Sequence, residues 1–177
     1  MATPPQIVKQ DSIYDGRIIK VRVDTVLLPD GQQVVREVVV HNGAVVIVPI
    51  DQDDHVLLVR QYRHAAGESL LEAPAGTLED SESPDDCAQR ELQEEIGYAS
   101  TNLRTLGGFW STPGFCTEFM YAYLARDLVE SKLSPDDDED IEVERVPTAR
   151  IPQMIRLGEI RDAKTIAALL MSMYIFK

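Results

Sequence analysis

Between Gly76 and Tyr98 the chain reads GTLEDSESPDDCAQRELQEEIGY, and this stretch concentrates its capacity for chemistry. The spacing predicts a helix from Pro84 to Ile96. Ser83 suits its N-cap, Pro84 its first position and Gly97 its stop. At 3.6 residues per turn, Glu91 and Glu95 share one face a turn apart, with Glu94 on the edge of that face. Arg90 precedes Glu94 by four residues and is placed to pair with it or with Glu82. Leu92 and Ile96, joined by Ala88, form the apolar face. Clustered carboxylates repel one another and raise one another's pKa unless a cation neutralises them. Hard oxygen donors on a rigid element suit Mg2+ or Mn2+ better than Zn2+. The expected chemistry is metal-assisted attack on a phosphate.

The flanking elements must position that helix. Residues 17–28 and 34–41 are β-branched, partly alternating runs joined by the turn signal Pro29-Asp30-Gly31, and they read as a hairpin. Further strands are expected at 43–50, 55–62 and from Glu68 to Ala73, the last leading through Pro74 into the helix. Beyond the helix come strands near 103–109 and 117–125, an acidic loop at 134–140 and a strand at 141–146. Helices near 148–157 and 162–175 close the chain, the last burying Ile166, Leu169, Leu170 and Met173. This order predicts an α/β fold: an α/β/α sandwich with a mixed sheet over residues 43–177, preceded by an N-terminal β-rich extension at 1–42. A two-stranded hairpin is rarely stable alone in water, so the extension is expected to pair with a second copy in a homodimer.

The chain has 177 residues, enough for one domain with a substantial core. Its net charge is −13, and residues 79–97 hold eight acids against one arginine, which argues against a nucleic-acid partner. Cys87 and Cys116 lie far apart, without metal-ligand spacing, and read as reduced thiols. No apolar run is long enough for a membrane span and no signal peptide is recognisable, so a cytoplasmic location is expected.

The run from Gly76 resembles the Nudix box. It has a glycine, a glutamate six residues on (Glu82), then Arg90-Glu91-Leu92-Gln93-Glu94-Glu95-Ile96-Gly97; Tyr98 stands where the box has a bulky aliphatic residue. The resemblance implies hydrolysis of a nucleoside diphosphate linked to another group. Outside the box, Arg60-Gln61-Tyr62-Arg63, Leu71-Glu72-Ala73-Pro74-Ala75-Gly76, Pro113 sixteen residues after Gly97, and Asp162-Ala163-Lys164-Thr165 resemble the ADP-ribose pyrophosphatase subfamily. GDP-mannose or another nucleotide sugar is the alternative substrate, and a non-catalytic nucleotide-sensing module is the alternative from another class.

By that resemblance Glu91, Glu95, Glu94 and the carbonyl of Ala75 are expected to hold the metal. Arg90 and Glu82 are expected to steady the glutamates. In the acidic loop, Glu139 is the expected catalytic base, with Asp137 and Asp138 in reserve. Arg63 and Glu72 are expected substrate contacts. Arg36 and Glu37 on the hairpin are expected to reach the adenine of a neighbouring subunit, and Glu118 and Phe115 to shape the terminal ribose pocket.

Overall fold

A computed structural model describes residues 4–134 and 141–175, which divide into two compact units. The first comprises the described part of Met1–Gly43 with Trp110–Phe119. It is built on three antiparallel strands, β1 (Gln6–Asp15), β2 (Lys20–Leu27) and β3 (Gln33–Val40), in the order β1-β2-β3. The expected hairpin is β2 and β3, turning at Gly31, whose φ of 86° suits glycine. β1 was not expected: Lys9, Gln10, Asp11 and Ser12 break its apolar pattern, and the strand is almost wholly exposed. Gln10 nonetheless supplies a partner for β2, donating to the buried Asp24, which also accepts from Arg22. The far edge of β3 bridges the 110–119 segment, with Val39 donating to Phe115 O at 2.8 Å and accepting from Thr117 N at 2.9 Å. Trp110 and Phe119 meet edge to face at 5.1 Å.

The second unit holds Ala44–Phe109 and the described part of Met120–Lys177. Strand β4 (Ala44–Pro49) is buried along its whole length and supplies both cores. It lies between β7 (Ala75–Thr77), antiparallel, and β9 (Phe119–Glu130), parallel, with β8 (Tyr98–Trp110) outermost. This is the expected mixed sheet. A separate antiparallel sheet runs β10 (Ile141–Pro147), β5 (His55–Arg63), β6 (Glu68–Glu72). On one side Val45, Ile47, Leu57 and Val59 pack against Cys87, Ala88, Leu92 and Ile96 of the acidic helix. On the other, Val46, Val48 and Leu58 pack against α2 (Ile151–Leu157) and α3 (Ala163–Ile175) through Ile151, Met154, Ala168 and Leu169. Full burial of each such aliphatic side chain is worth about 1.5–3 kcal/mol. The layers make an α/β/α sandwich.

Two local expectations change. The helix is α-helical only as α1, Pro84–Glu91, and continues as a π turn over Leu92–Ile96, closed by a hydrogen bond from Gly97 N to Leu92 O. In α3 the inward row is Thr165, Ala168 and Leu169, while Leu170 is 37% exposed and faces out. Among the described residues no helix is long and apolar enough to cross a membrane.

Candidate active site

The box helix starts where its sequence requires. Ser83 Oγ accepts from Asp86 N at 3.2 Å, and Pro84 opens the first turn. Arg90 is the hub of the acidic face. Its Nε and Nη2 grip Glu82 at 2.8 and 3.0 Å, while Nη1 donates to Glu91 at 2.6 Å and to Glu94 at 2.9 Å. This expected role for Arg90 has a clear electrostatic signature. The Arg90 hydrogen bond pulls the Glu82 carboxyl down to about 2 against the effect of burial. In return, Glu82 first and then Glu91 and Glu94 raise the guanidinium above its ordinary value.

Glu91 and Glu95 are both buried. Glu95 Oε2 accepts from Ala75 N at 3.2 Å, which fixes it against the start of β7. Glu91 lies over Gly76, where a β-carbon would sit 1.7 Å from its Oε1. Gly76 has no left-handed backbone; its value here is empty space. Arg90 bonds Glu82, Glu91 and Glu94, and Arg63 lies in electrostatic reach of Glu95, so four carboxylates face fewer cations than acids and the donor set carries surplus negative charge in a largely dry place. That chemistry fits a hard divalent cation bound through oxygen. As they stand, no three acidic, imidazole or thiol groups among the described residues converge tightly enough to hold one, because Arg90 bridges Glu91 and Glu94.

Arg63 and Glu72 come together elsewhere on the same unit. Glu72 is 1% exposed and takes a two-pronged guanidinium fork at 2.8 and 2.9 Å, with Lys164 on its Oε2. Both oxygens of Glu72 are thus engaged by cations inside the protein. Burial pushes the Glu72 carboxyl up, but the Arg63 fork and Lys164 outweigh it and hold the pKa below the usual value. The Glu72 bond raises the Arg63 pKa against burial, and the nearby charges of Glu95 and Asp162 add to the rise. Arg63 thus lies within electrostatic reach of the box. From sequence Lys164 entered only as part of the 162–165 run, with no role of its own, although a cation in the first turn of a helix opposes the helix dipole and is a signal in itself.

Four expected site residues fall in the first unit. Arg36 is exposed, with Nη1 on the carbonyl of Val35, and Glu37 stands opposite Val23. Glu118 lies 3.8 Å from His41 Nδ1, and Phe115 is exposed. Glu139, Asp137 and Asp138 lie outside the described residues. A separate cleft of about 430 Å³ is lined by Arg60, Arg145, Arg150 and Arg161, but each of these is already paired with an acid.

The depressed Glu72 and Glu82 carboxyls make the fold acid-sensitive. Their ordinary value is 4.5 and their folded values lie lower, so their contribution is complete above that pH and is lost as pH falls through the folded values, about 2 for Glu82. Denaturant titrations on the metal-free protein should show unfolding free energy falling from about pH 5 toward about pH 2. Glu82→Gln should flatten that fall. An unchanged slope in the variant would remove Glu82 from the account.

A NUDIX domain model matches residues 40–169, and a nucleoside diphosphate sugar hydrolase N-terminal domain model matches residues 6–39. The chain is 35% identical over 164 residues to an ADP-ribose pyrophosphatase of Bacillus subtilis (strain 168), covering 92% of this chain and 89% of that one. It is 37% identical over 163 residues to a methanol dehydrogenase activator of Bacillus methanolicus, covering 91% and 88%. A GDP-mannose pyrophosphatase of Escherichia coli (strain K12) is 35% identical over 137 residues, covering 72% and 71%. The crystal structure of an ADP compounds hydrolase superposes with a TM-score of 0.89 at 27% identity, covering 98% of this chain and 94% of that one. A box helix whose carboxylates are gathered by Arg90, set in this sandwich and matched over most of its length, places the chain in the Nudix family.

Proposed function

We propose that this Nudix protein hydrolyses the pyrophosphate bond of ADP-ribose, giving AMP and ribose 5-phosphate, with Mg2+ as its metal and Mn2+ as a substitute. The single observation that carries the reading is the buried carboxylate pair Glu91 and Glu95, with Arg63 in electrostatic reach of Glu95. Acids for a cation and an arginine for a phosphate then share one neighbourhood. The pyrophosphatase relatives favour a nucleoside diphosphate sugar, and GDP-mannose is the alternative within that class.

In this mechanism Glu91, Glu94, Glu95 and the carbonyl of Ala75 would hold the metal. A divalent cation bound there would supply charge neutralisation on the phosphate oxygens and acidify a water. Arg90 spaces Glu91 and Glu94 and keeps Glu82 ionised, so the acidic face stays ordered. Ala75 N fixes the Glu95 carboxylate by its hydrogen bond. Arg63 presents a guanidinium edge to the substrate's phosphate. Glu139 takes the proton of the attacking water and so acts as general base. Arg36 and Glu37 reach the adenine bound by a neighbouring subunit, and Glu118 shapes the terminal ribose pocket. The reaction is placed in the cytoplasm.

The test is a panel of ADP-ribose, GDP-mannose and other nucleotide sugars with Mg2+, scored by kcat/KM and by the products released. AMP and ribose 5-phosphate from ADP-ribose, at the highest kcat/KM of the panel, are expected. Preference for GDP-mannose replaces the substrate, and no hydrolysis of any member sinks the reading.

The protein is further proposed to act as a homodimer through its N-terminal strands. Ile7, Val8, Ile13, Tyr14, Ile18 and Val35 are exposed apolar side chains in that small unit. A second copy covering them would follow the usual economy of a two-fold interface. Sedimentation should give a dimer at micromolar concentration, and deleting residues 1–41 should cost both association and substrate affinity. A fully active monomer would end the proposal.

A further inference from the structure

Lys164 occupies an awkward place for a cation. It is the second residue of α3, where the helix dipole favours negative charge, and its side chain is only 20% exposed. Its Nζ bridges Glu72 and Asp162, the latter at 3.1 Å. We propose that Lys164 is a positioning residue of the candidate active site: it places a second cation on buried Glu72, so that Arg63 is held in place yet keeps its attraction for a phosphate of the substrate. The inference deepens the pyrophosphatase reading and rests on it.

The argument begins with charge. Arg63 and Glu72 alone would form a neutral pair, with little to offer an anion. Adding Lys164 leaves the three-residue group with one positive charge. Asp162, ion-paired with Lys164 at 3.1 Å, brings the four side chains to neutrality; without Lys164 the remaining three would carry one negative charge and oppose an incoming phosphate.

The path of Arg63 shows how firmly it is held. In the register of β5 and β6, Arg63 stands opposite Glu68, whereas Glu72 stands opposite Val59. The side chain must therefore turn back along its strand, across the Gln61–Leu70 pair, to reach Glu72. Gln61 Oε1, two residues away on the same face, is buried and has no hydrogen-bond partner among the described residues. A charged, two-pronged acceptor outcompetes a neutral amide oxygen, so the charge of Glu72 sets the direction of Arg63. Only Nε and Nη2 are used; among the described residues Nη1 has no hydrogen bond, and the side chain is 39% exposed. That free edge is the one available to a phosphate oxygen.

Tethering α3 to β6 is a lesser explanation for Lys164, because another residue already does it. Ala73 N donates to Thr165 Oγ1 at 2.8 Å, with Thr165 fully buried. Lys164 adds charge where a neutral tie is in place.

The experiment compares wild type, Lys164→Met and Lys164→Arg by Mg2+-dependent kinetics with ADP-ribose, by melting temperature, and by the melting shift that ADP-ribose produces without metal. Lys164→Met should raise KM by about 10-fold or more while kcat stays within about 3-fold, and Lys164→Arg should recover most of the loss. The metal-free shift should shrink in Lys164→Met and return in Lys164→Arg. A lower melting temperature with unchanged KM would make Lys164 a structural tie and overturn the proposal, as would a loss confined to kcat. If Lys164→Met does not fold, Lys164→Gln is read by the same criteria. Should the wild type cleave no nucleotide sugar, the pyrophosphatase reading fails on its own account. The metal-free shift then decides Lys164: present in wild type and Lys164→Arg but reduced in Lys164→Met supports it, and absence in wild type or equal shifts overturn it.

Discussion

Glu91→Gln and Glu95→Gln should each lower kcat by about 100-fold or more while leaving the fold intact. The amide keeps the shape and loses the charge, so what disappears is the capacity to hold a divalent cation. Stability should hold or rise slightly in the metal-free protein, because Glu82, Glu91 and Glu94 crowd one guanidinium with Glu95 on the same helix, and removing one charge relieves repulsion. The two variants should differ in detail. Glu91 gives up a charged bond to Arg90 at 2.6 Å, whereas Glu95 loses its ionised partner for Ala75 N. Steady-state kinetics over a Mg2+ titration, with melting curves in chelator, provide the measurement. Near-normal turnover at saturating Mg2+ in either variant would refute that residue's role as a ligand.

Gly76→Ala should be nearly as damaging to turnover and far milder to the fold. A methyl at this position would lie 1.7 Å from Glu91 Oε1 and 2.0 Å from its Cδ, an impossible approach. The atoms in the way are the end of a side chain, so Glu91 can swing aside without moving the backbone. The gap closes at the expense of the carboxylate's position, and a misplaced catalytic group costs on the order of 100-fold in rate. Since Gly76 has ordinary backbone angles, alanine adds no conformational strain there. The expected pattern is a kcat loss of at least about 100-fold, a melting temperature within a few degrees of wild type, and weaker metal binding by calorimetry. Full activity in Gly76→Ala would mean that Glu91 has no fixed place in the site.

The box helix was legible because its signals are local. Ser83, Pro84, Arg90, the glutamates and Gly97 all act within a few residues of one another, and the structure places the cap, hub and stop as their spacing predicts. The sandwich was legible for a related reason: β4 and β5 are short apolar runs rich in β-branched residues and bounded by turn signals, the pattern of a largely buried strand. What escaped depends on partners distant in sequence. Glu72, one of two glutamates in β6, gives no hint in sequence that Arg63 and Lys164 will bury it. β1 has the composition of a surface loop and becomes a strand by pairing with β2. β7, three residues long, exists through its pairing with β4. Leu170 satisfied the helical period, yet the packed face of α3 is centred on Thr165, Ala168 and Leu169.

The π turn after Glu91 ties chemistry to the count of residues as well as to their kinds. Its bond from Gly97 N to Leu92 O spans one residue more than an α-helical bond does, so the segment carries an extra residue that ordinary helical winding would not accommodate. Deleting one residue between Leu92 and Ile96 would let the helix wind regularly and remove an unfavourable turn. It would also bring Glu95 to three residues after Glu91 instead of four when the lost residue precedes it, moving Glu95 from its place against Ala75. The more regular helix would be the poorer ligand. Of these five positions only Gln93 lies outside both the core and the carboxylate cluster, so a family of such chains should vary chiefly there while excluding insertions and deletions throughout the segment.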